Sequence, residues 1–230
     1  MSTGTVKILD ETCKTPIALM GAMAGHCYGS DTTDSFKNYK RGLNCIKSGH
    51  GRVLEFADVY MFIDGYSARV IRELYTHIAG APTRVQESTR YIDYANGFDY
   101  VTPPSISKRP DAKGTYDEVM TVIEHGAELL KNNGVPQEDI AMLLPLGMKT
   151  GISVRYNVRT LSTMAEQRLC SRAYWEFRQL MKDIIKALCE YSPQWGTLCH
   201  LIMSCKCDKS GYCIEADSCG RKPKKNIDSF

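Results

Sequence analysis

The strongest constraint on the fold is an apolar stripe in the last third of the chain. Tyr174, Phe177, Met181, Ile184, Leu188 and Tyr191 recur at intervals of three and four, with Arg172, Glu176, Arg178, Lys182 and Lys186 off that line. This period belongs to a helix that buries one face, and it predicts one long helix over residues 163–191. Such a helix needs a surface to lie on, and strand-like runs supply one. "TVKILD" reads as an opening strand, "GRVLEFADVYMFIDGY" (51–66) as a longer one ended by Gly65, and "KTGISVRYNVRTL" (149–161) as a strand running into a helix. Ser67 is placed to cap a further helix, whose stripe is Val70, Ile71, Leu74, Tyr75 and Ile78, and which the turn Gly80-Ala81-Pro82 breaks. Helices are also expected near 15–25, 34–48 and 116–133, with a short one after Pro136. "TRYIDYA" (89–95) is expected to return as a strand and "VTPPSISKRPDAKG" (101–114) as a Pro-rich surface loop. Helices and strands interleave without regular βαβ units, which predicts a single α+β domain.

Composition excludes several function classes. With 230 residues and 43% hydrophobic content the chain can bury a sizeable core, and a formal charge of +3 is too small for a binder driven by bulk charge. No apolar run approaches membrane-span length and the first residues lack a signal-peptide plan, so the expectation is a cytoplasmic protein with no membrane partner. Of ten cysteines, Cys13, Cys27, Cys45, Cys170, Cys189 and Cys199 are scattered and read as small hydrophobes in a reducing compartment. Cys205, Cys207, Cys213 and Cys219 are crowded into a basic tail. They are enough for a four-thiolate zinc site, but their C-x-C-x5-C-x5-C spacing is not a standard knuckle, and no metal is assigned. In "LCH" (198–200), Cys199 and His200 would point apart on a helix, which argues against an activated thiolate. His26, His50 and His125 read as surface residues.

Two polar stretches carry the chemistry. "QESTRY" sets Gln86, Ser88, Thr89 and Arg90 beside a turn, a set of donors suited to a phosphate or to the edge of a nucleobase. "RYNVRTLSTMAEQRLCSRAYWEFRQ" (155–179) holds Asn157, Arg159, Arg168, Arg172 and Arg178 close to Trp175. Arg168, Arg172 and Glu176, spaced at fours, would share one helix face. Asn157 and Arg159 lie at the helix start, where anions are favoured. The plain alternatives are a solvated turn for the first stretch and an exposed, ion-paired helix for the second.

Together the two stretches resemble the flavin-dependent thymidylate synthases. The family pattern is an Arg-His-Arg triplet followed by Ser and Arg-Tyr, then a Val-Pro…Leu-Pro-Leu segment, then Asn-x-Arg and a helix with Arg and Trp-Glu. This chain has "THIAGAPTRVQESTRY", "VPQEDIAMLLPLG" and "NVRTLSTMAEQRLCSRAYWEFR" in that order. It departs from the pattern at Thr76 and Ile78, which flank His77 in place of arginines. His77 is also two residues farther from Ser88, with Arg84 in the longer turn. Phe56, Ala141 and Arg172 replace a His, an Arg and a His of the family.

The resemblance implies a central, mostly antiparallel sheet flanked by helices over residues 1–195, with 196–230 a Cys-rich basic extension. It implies FAD as cofactor, held by His77, Arg84, Asn157, Arg159 and Arg172. The implied substrate is dUMP, contacted by Glu73, Gln86, Glu87, Ser88, Thr89 and Arg90, with Arg168 the catalytic residue on the uracil ring. Methylenetetrahydrofolate and NADPH are the implied co-substrates, and the implied assembly is a homotetramer with shared active sites. Two alternatives stand beside dUMP methylation. One is a related flavin-dependent pyrimidine modification such as hydroxymethylation. The other is a single-strand nucleic-acid module built on Arg159, Arg168, Arg172, Arg178, Trp175 and the "RKPKK" tail; no nucleic-acid partner is expected on the leading reading.

Overall fold

The computed structural model describes residues 4–225. Its centre is a four-stranded antiparallel sheet in the order β1-β2-β4-β3, formed by β1 (Thr5–Ile8), β2 (Asp58–Ser67), β3 (Thr83–Gln86) and β4 (Lys149–Asn157). Val59, Met61 and Ile63 of β2 pair with Tyr156, Val154 and Ile152 of β4, and all six side chains are buried. That alternation gives the sheet one apolar face. Helices α1 (Pro16–Cys27), α7 (Val158–Arg168), α8 (Trp175–Tyr191) and α9 (Pro193–Ile202) cover it. Their contribution to the core includes Met20, Leu161, Phe177, Leu180, Leu188, Trp195 and Leu198, so the core extends past residue 195.

The remaining elements are α2 (Ser35–Lys47), capped by Asp34, α3 (Ala68–Leu74), α4 (Pro104–Ser107), α5 (Pro110–Asn132), α6 (Gln137–Ile140) and α10 (Lys206–Ser210). Short 3-10 turns occupy Gly51–Phe56 and Ala141–Leu143. No helix among the described residues is long and apolar enough to cross a membrane.

Several expectations need correction. The first part of the 51–66 run is a 3-10 turn, not strand. Gly65 does not end β2. It sits at φ +75° in the register shift between Ile63 and Tyr66. This bulge turns Tyr66 into the core, where its hydroxyl donates to Asp183 at 2.5 Å. Helix α3 ends at Leu74, leaving Tyr75 and Ile78 exposed instead of on a buried stripe. The strand after the Gly-Ala-Pro turn is Thr83–Gln86, and 89–95 forms turns instead. The expected loop at 101–114 contains α4 and the first turn of α5, with Pro110 at a helix start where its missing N–H costs nothing.

The predicted helix over 163–191 is two helices, α7 and α8, parted at residues 169–174. Arg168, Arg172 and Glu176 therefore share no face. Arg168 ends α7, and Arg172 lies in the break. Glu176 is fully buried, accepting from the Ser67 backbone N–H (2.8 Å) and the Ser67 hydroxyl (2.6 Å).

Candidate active site

The turn that follows α3 is held from two sides. Ser67 caps the start of α3 by accepting from Val70 N. At the other end, Arg84 Nη1 donates to Tyr75 O at 2.8 Å and lies 3.5 Å from both Leu74 O and His77 O, with its guanidinium 4.7 Å from the Tyr75 ring centroid. A cation on the terminal carbonyls of a helix satisfies otherwise orphaned acceptors and complements the dipole. From the sheet side, Thr160 Oγ1 donates to Ala79 O at 2.7 Å and Arg155 Nη2 to Ala81 O at 3.0 Å. Gly80 has φ +71°, and a Cβ there would lie 2.3 Å from Asn157 Nδ2 and 2.7 Å from Thr160 Oγ1. Asn157 is the cap of α7, accepting from Thr160 N at 2.9 Å. His77 thus sits on a turn pinned to the junction of β4 and α7.

Arg168 reaches that turn from the C-terminal end of α7. Its Nε donates to His77 Nε2 at 3.0 Å and its Nη1 to Glu73 Oε1 at 2.5 Å, while its guanidinium carbon lies 4.9 Å from the Phe177 ring centroid. The His77 ring is 5.6 Å from the same phenyl ring. Burial first, then the cations Arg168 and Arg84, push the His77 pKa down to about 4. The imidazole is neutral at pH 7. Because Nε2 accepts from Arg168, the proton sits on Nδ1, which has no partner among the described residues. Arg168 itself keeps Nη2 unpartnered among those residues. The result is a fixed, half-buried cation with donors to spare, beside a neutral imidazole that presents another.

The QESTRY stretch begins as β3 ends. Glu87 Oε2 accepts from Gly151 N at 2.7 Å, and Gln86 Nε2 lies 3.5 Å from Thr150 Oγ1, so both secure the end of the strand. Ser88 Oγ accepts from Arg90 N at 3.2 Å. Arg90 pairs with Glu138 at 3.0 Å on the surface, and Thr89 lines a 210 Å³ cleft with Ile92, Tyr94 and Leu144. Among the described residues no hydrogen bond or ion pair links this stretch to Glu73, His77 or Arg168.

Other candidates separate likewise. Arg159 is exposed, pairs with Glu55 at 2.5 Å and lines a 240 Å³ cleft with His50 and Lys209. Arg172 binds the C-terminal segment through Glu215 and Asp217. Arg178 donates to the Ser171 and Ala173 carbonyls in the α7–α8 break. Cys199 is buried, its thiol pushed up by that burial and in contact with Met203 Sδ rather than with His200. His26, His50 and His125 are exposed, as expected.

In the tail, Cys205 and Cys207 have their sulfurs 3.7 Å apart, and burial pushes the Cys205 thiol up to about 11. Among the described residues no three His, Cys, Asp or Glu side chains are arranged to hold a metal. Sequence reasoning missed Phe177 as the surface under Arg168 and His77, and Thr160 as the clamp on the turn. The Asn-x-x-Thr spacing from Asn157 to Thr160 was a readable capping signal for the latter.

A family model described as "Thymidylate synthase complementing protein" matches residues 7–194. A flavin-dependent thymidylate synthase of Pyrococcus furiosus is 32% identical over 214 residues, covering 86% of each chain. One from Nitratidesulfovibrio vulgaris is 29% identical over 231 residues, covering 90% of this chain and 91% of its own. Among solved structures, the UMP/dUMP methylase PolB of Streptomyces cacaoi, bound with 5-Br dUMP, superposes with TM-score 0.70 at 17% identity, covering 88% of this chain and 97% of that one. Thymidylate synthase X of Helicobacter pylori, with FAD and dUMP, gives 0.64 at 17% identity, covering 85% and 98%. At these identities the structural likeness speaks for the fold.

Proposed function

The chain belongs to the flavin-dependent thymidylate synthase family, and on that premise we propose that it methylates C5 of dUMP, with FAD as cofactor, methylenetetrahydrofolate as carbon donor and NADPH as reductant. When bound, the reduced flavin supplies hydride and the folate the one-carbon unit. The observation that carries the reading is Arg168, clamped by His77 and Glu73 and still holding a free donor nitrogen. A guanidinium fixed beside the uracil ring stabilises negative charge on it and lowers the pKa of its N3–H. Phe177 and the two clamping bonds restrict the guanidinium before substrate arrives, so little reorganisation is needed when charge develops. Glu73 acts through Arg168, as the group that aims it.

The residues fit a flavin dinucleotide. The free Nδ1–H of His77 and the exposed guanidinium of Arg159 are donors for an acceptor-rich ring and a pyrophosphate, and the exposed Arg172 adds a cation. Arg84 and Asn157 serve from behind, since their polar groups are spent on the turn and on the helix start.

Ser88, Thr89 and Arg90, with Gln86 beside them, are left for the nucleotide phosphate and sugar. On the family resemblance, the assembly is a homotetramer in which one copy supplies Arg168 and another the phosphate-binding stretch. The single-strand reading is disfavoured because the chain belongs to a family of flavin-dependent enzymes.

The test is direct. Purified protein titrated with FAD is expected to show stoichiometric flavin absorbance. Its reduced form, mixed anaerobically with dUMP and methylenetetrahydrofolate, is expected to reoxidise and form dTMP, and light scattering is expected to give four chains. A protein that takes up no flavin from excess FAD overturns the reading.

A further inference from the structure

The cleft beside Arg168 has a second wall that comes from outside the matched family segment, which ends at residue 194. Its volume is 320 Å³, within the range of about 300–1,000 Å³ usual for small-molecule sites. Gln167, Arg168 and Ala173 line one side, and Cys207, Tyr212 and Ile214 the other. This opposite wall is a folded flap. Cys213 N donates to Pro223 O at 2.7 Å and Lys225 N to Cys213 O at 2.8 Å, closing it on itself, and Cys205 and Cys213 are buried beneath it.

Two ion-pair clips hold the flap down. Lys209 reaches Glu166 at 2.7 Å, and Arg172 reaches Glu215 at 3.5 Å and the Asp217 carbonyl at 3.0 Å. The clips grip the main domain at positions 166 and 172, on either side of Arg168 in sequence, so the flap stays over that residue. Ile214 remains 51% exposed, although it sits in a segment with its own bonded frame. An aliphatic and an aromatic side chain thus share a half-open cleft with Arg168. This pairing suits a flat ring with a polar edge for the cation and an apolar face for the wall.

We infer that this C-terminal flap is a specificity wall of the Arg168 site, on which Tyr212 and Ile214 pack against the pyrimidine of the nucleotide held by Arg168. The inference rests on the reading of Arg168 as the pyrimidine-binding cation. Tyr212 and Ile214 are not themselves among the flavin-holding residues.

The experiment is calorimetric titration of full-length, FAD-loaded protein with dUMP, comparing wild type with Ile214→Asp, Ile214→Leu and Tyr212→Ala. Melting temperature and FAD affinity are measured alongside. Ile214→Asp and Tyr212→Ala are expected to raise the dUMP Kd tenfold or more, with FAD affinity and melting temperature unchanged. Ile214→Leu is expected to bind as wild type does. Wild-type affinity in both Ile214→Asp and Tyr212→Ala overturns the flap alone. A loss of dUMP affinity matched by an equal loss of FAD affinity or a lowered melting temperature also overturns it, since the flap would then act through the fold. A wild-type protein that binds FAD but no dUMP overturns both this inference and the reading on which it rests.

Discussion

Arg168 donates its Nε–H to Nε2 of His77 across 3.0 Å, and this one bond fixes the state of both side chains. The imidazole can accept only while it is neutral, and burial first, then the adjacent positive charge, keep it so.

A pH dependence of stability follows. His77 has its pKa lowered from 6.5 to about 4 in the fold. Between these values the unfolded chain binds a proton that the folded chain refuses. This group's contribution is therefore intact above about pH 6.5 and is lost progressively as pH falls toward 4. Urea unfolding at pH 7 and pH 5 is expected to show a larger loss for wild type than for His77→Gln, which has no group to titrate there. Equal losses would show that His77 titrates normally.

The bond network around Glu176 bears on stability. Its carboxylate is fully buried and takes both the backbone N–H and the hydroxyl of Ser67, tying the start of α8 to the start of α3. Glu176→Ala strands two buried donors and is expected to cost about 3 kcal/mol. Glu176→Gln keeps one acceptor and is expected to cost about half of that. The check is the urea midpoint at constant slope. A midpoint unchanged in Glu176→Ala would mean that water replaces the carboxylate freely.

Glu176 also shows where sequence reading stops. The apolar stripe from Tyr174 to Tyr191 was legible because burial of one face imposes a period, and α8 follows it. The backbone break before it was not, because Leu169 and Tyr174 both pack against the core and carry the apolar pattern across the gap. What holds the break is Arg178 on the Ser171 and Ala173 carbonyls, a bond invisible to any periodicity. The same limit misplaced β3, since the choice between 83–86 and 89–95 is made by pairing with β4, with Arg84 opposite Val154. Glu73, His77 and Arg168 could be named from the family resemblance. Their convergence needed the turn at Gly80, and Phe177 beneath them looked like one more member of a stripe. By contrast, Pro110 as a helix start was readable and was overlooked among the prolines around it.

That turn supplies a third expectation. Gly80 sits at φ +71°, and a Cβ would meet Asn157 at 2.3 Å and Thr160 at 2.7 Å. Gly80→Ala adds backbone strain and displaces the cap of α7, at an expected cost of about 2 kcal/mol. Because the same turn carries His77, FAD affinity is expected to fall with it. A variant with the wild-type melting temperature and flavin affinity would show that the turn relaxes without effect.

The decisive residue is Arg168. An arginine that merely ended a helix would be worth under about 0.5 kcal/mol and nothing in rate. A preorganised cation on the developing charge is worth about 3 kcal/mol, or roughly a hundredfold in rate. Arg168→Ala, loaded with FAD and reduced, is expected to reoxidise with dUMP and methylenetetrahydrofolate about a hundredfold more slowly in a single turnover. Arg168→Lys keeps the charge but lacks the planar fork that reaches His77 and Glu73 together, and is expected to fall between the two. An independent readout separates loss of the cation from loss of the fold. Arg168 is one cause of the depressed His77 pKa, so in Arg168→Ala the imidazole is expected to titrate nearer its ordinary value by NMR while the melting temperature holds. A wild-type rate in the alanine variant, with His77 shifted as expected, would place Arg168 in the geometry of the site and remove it from the chemistry.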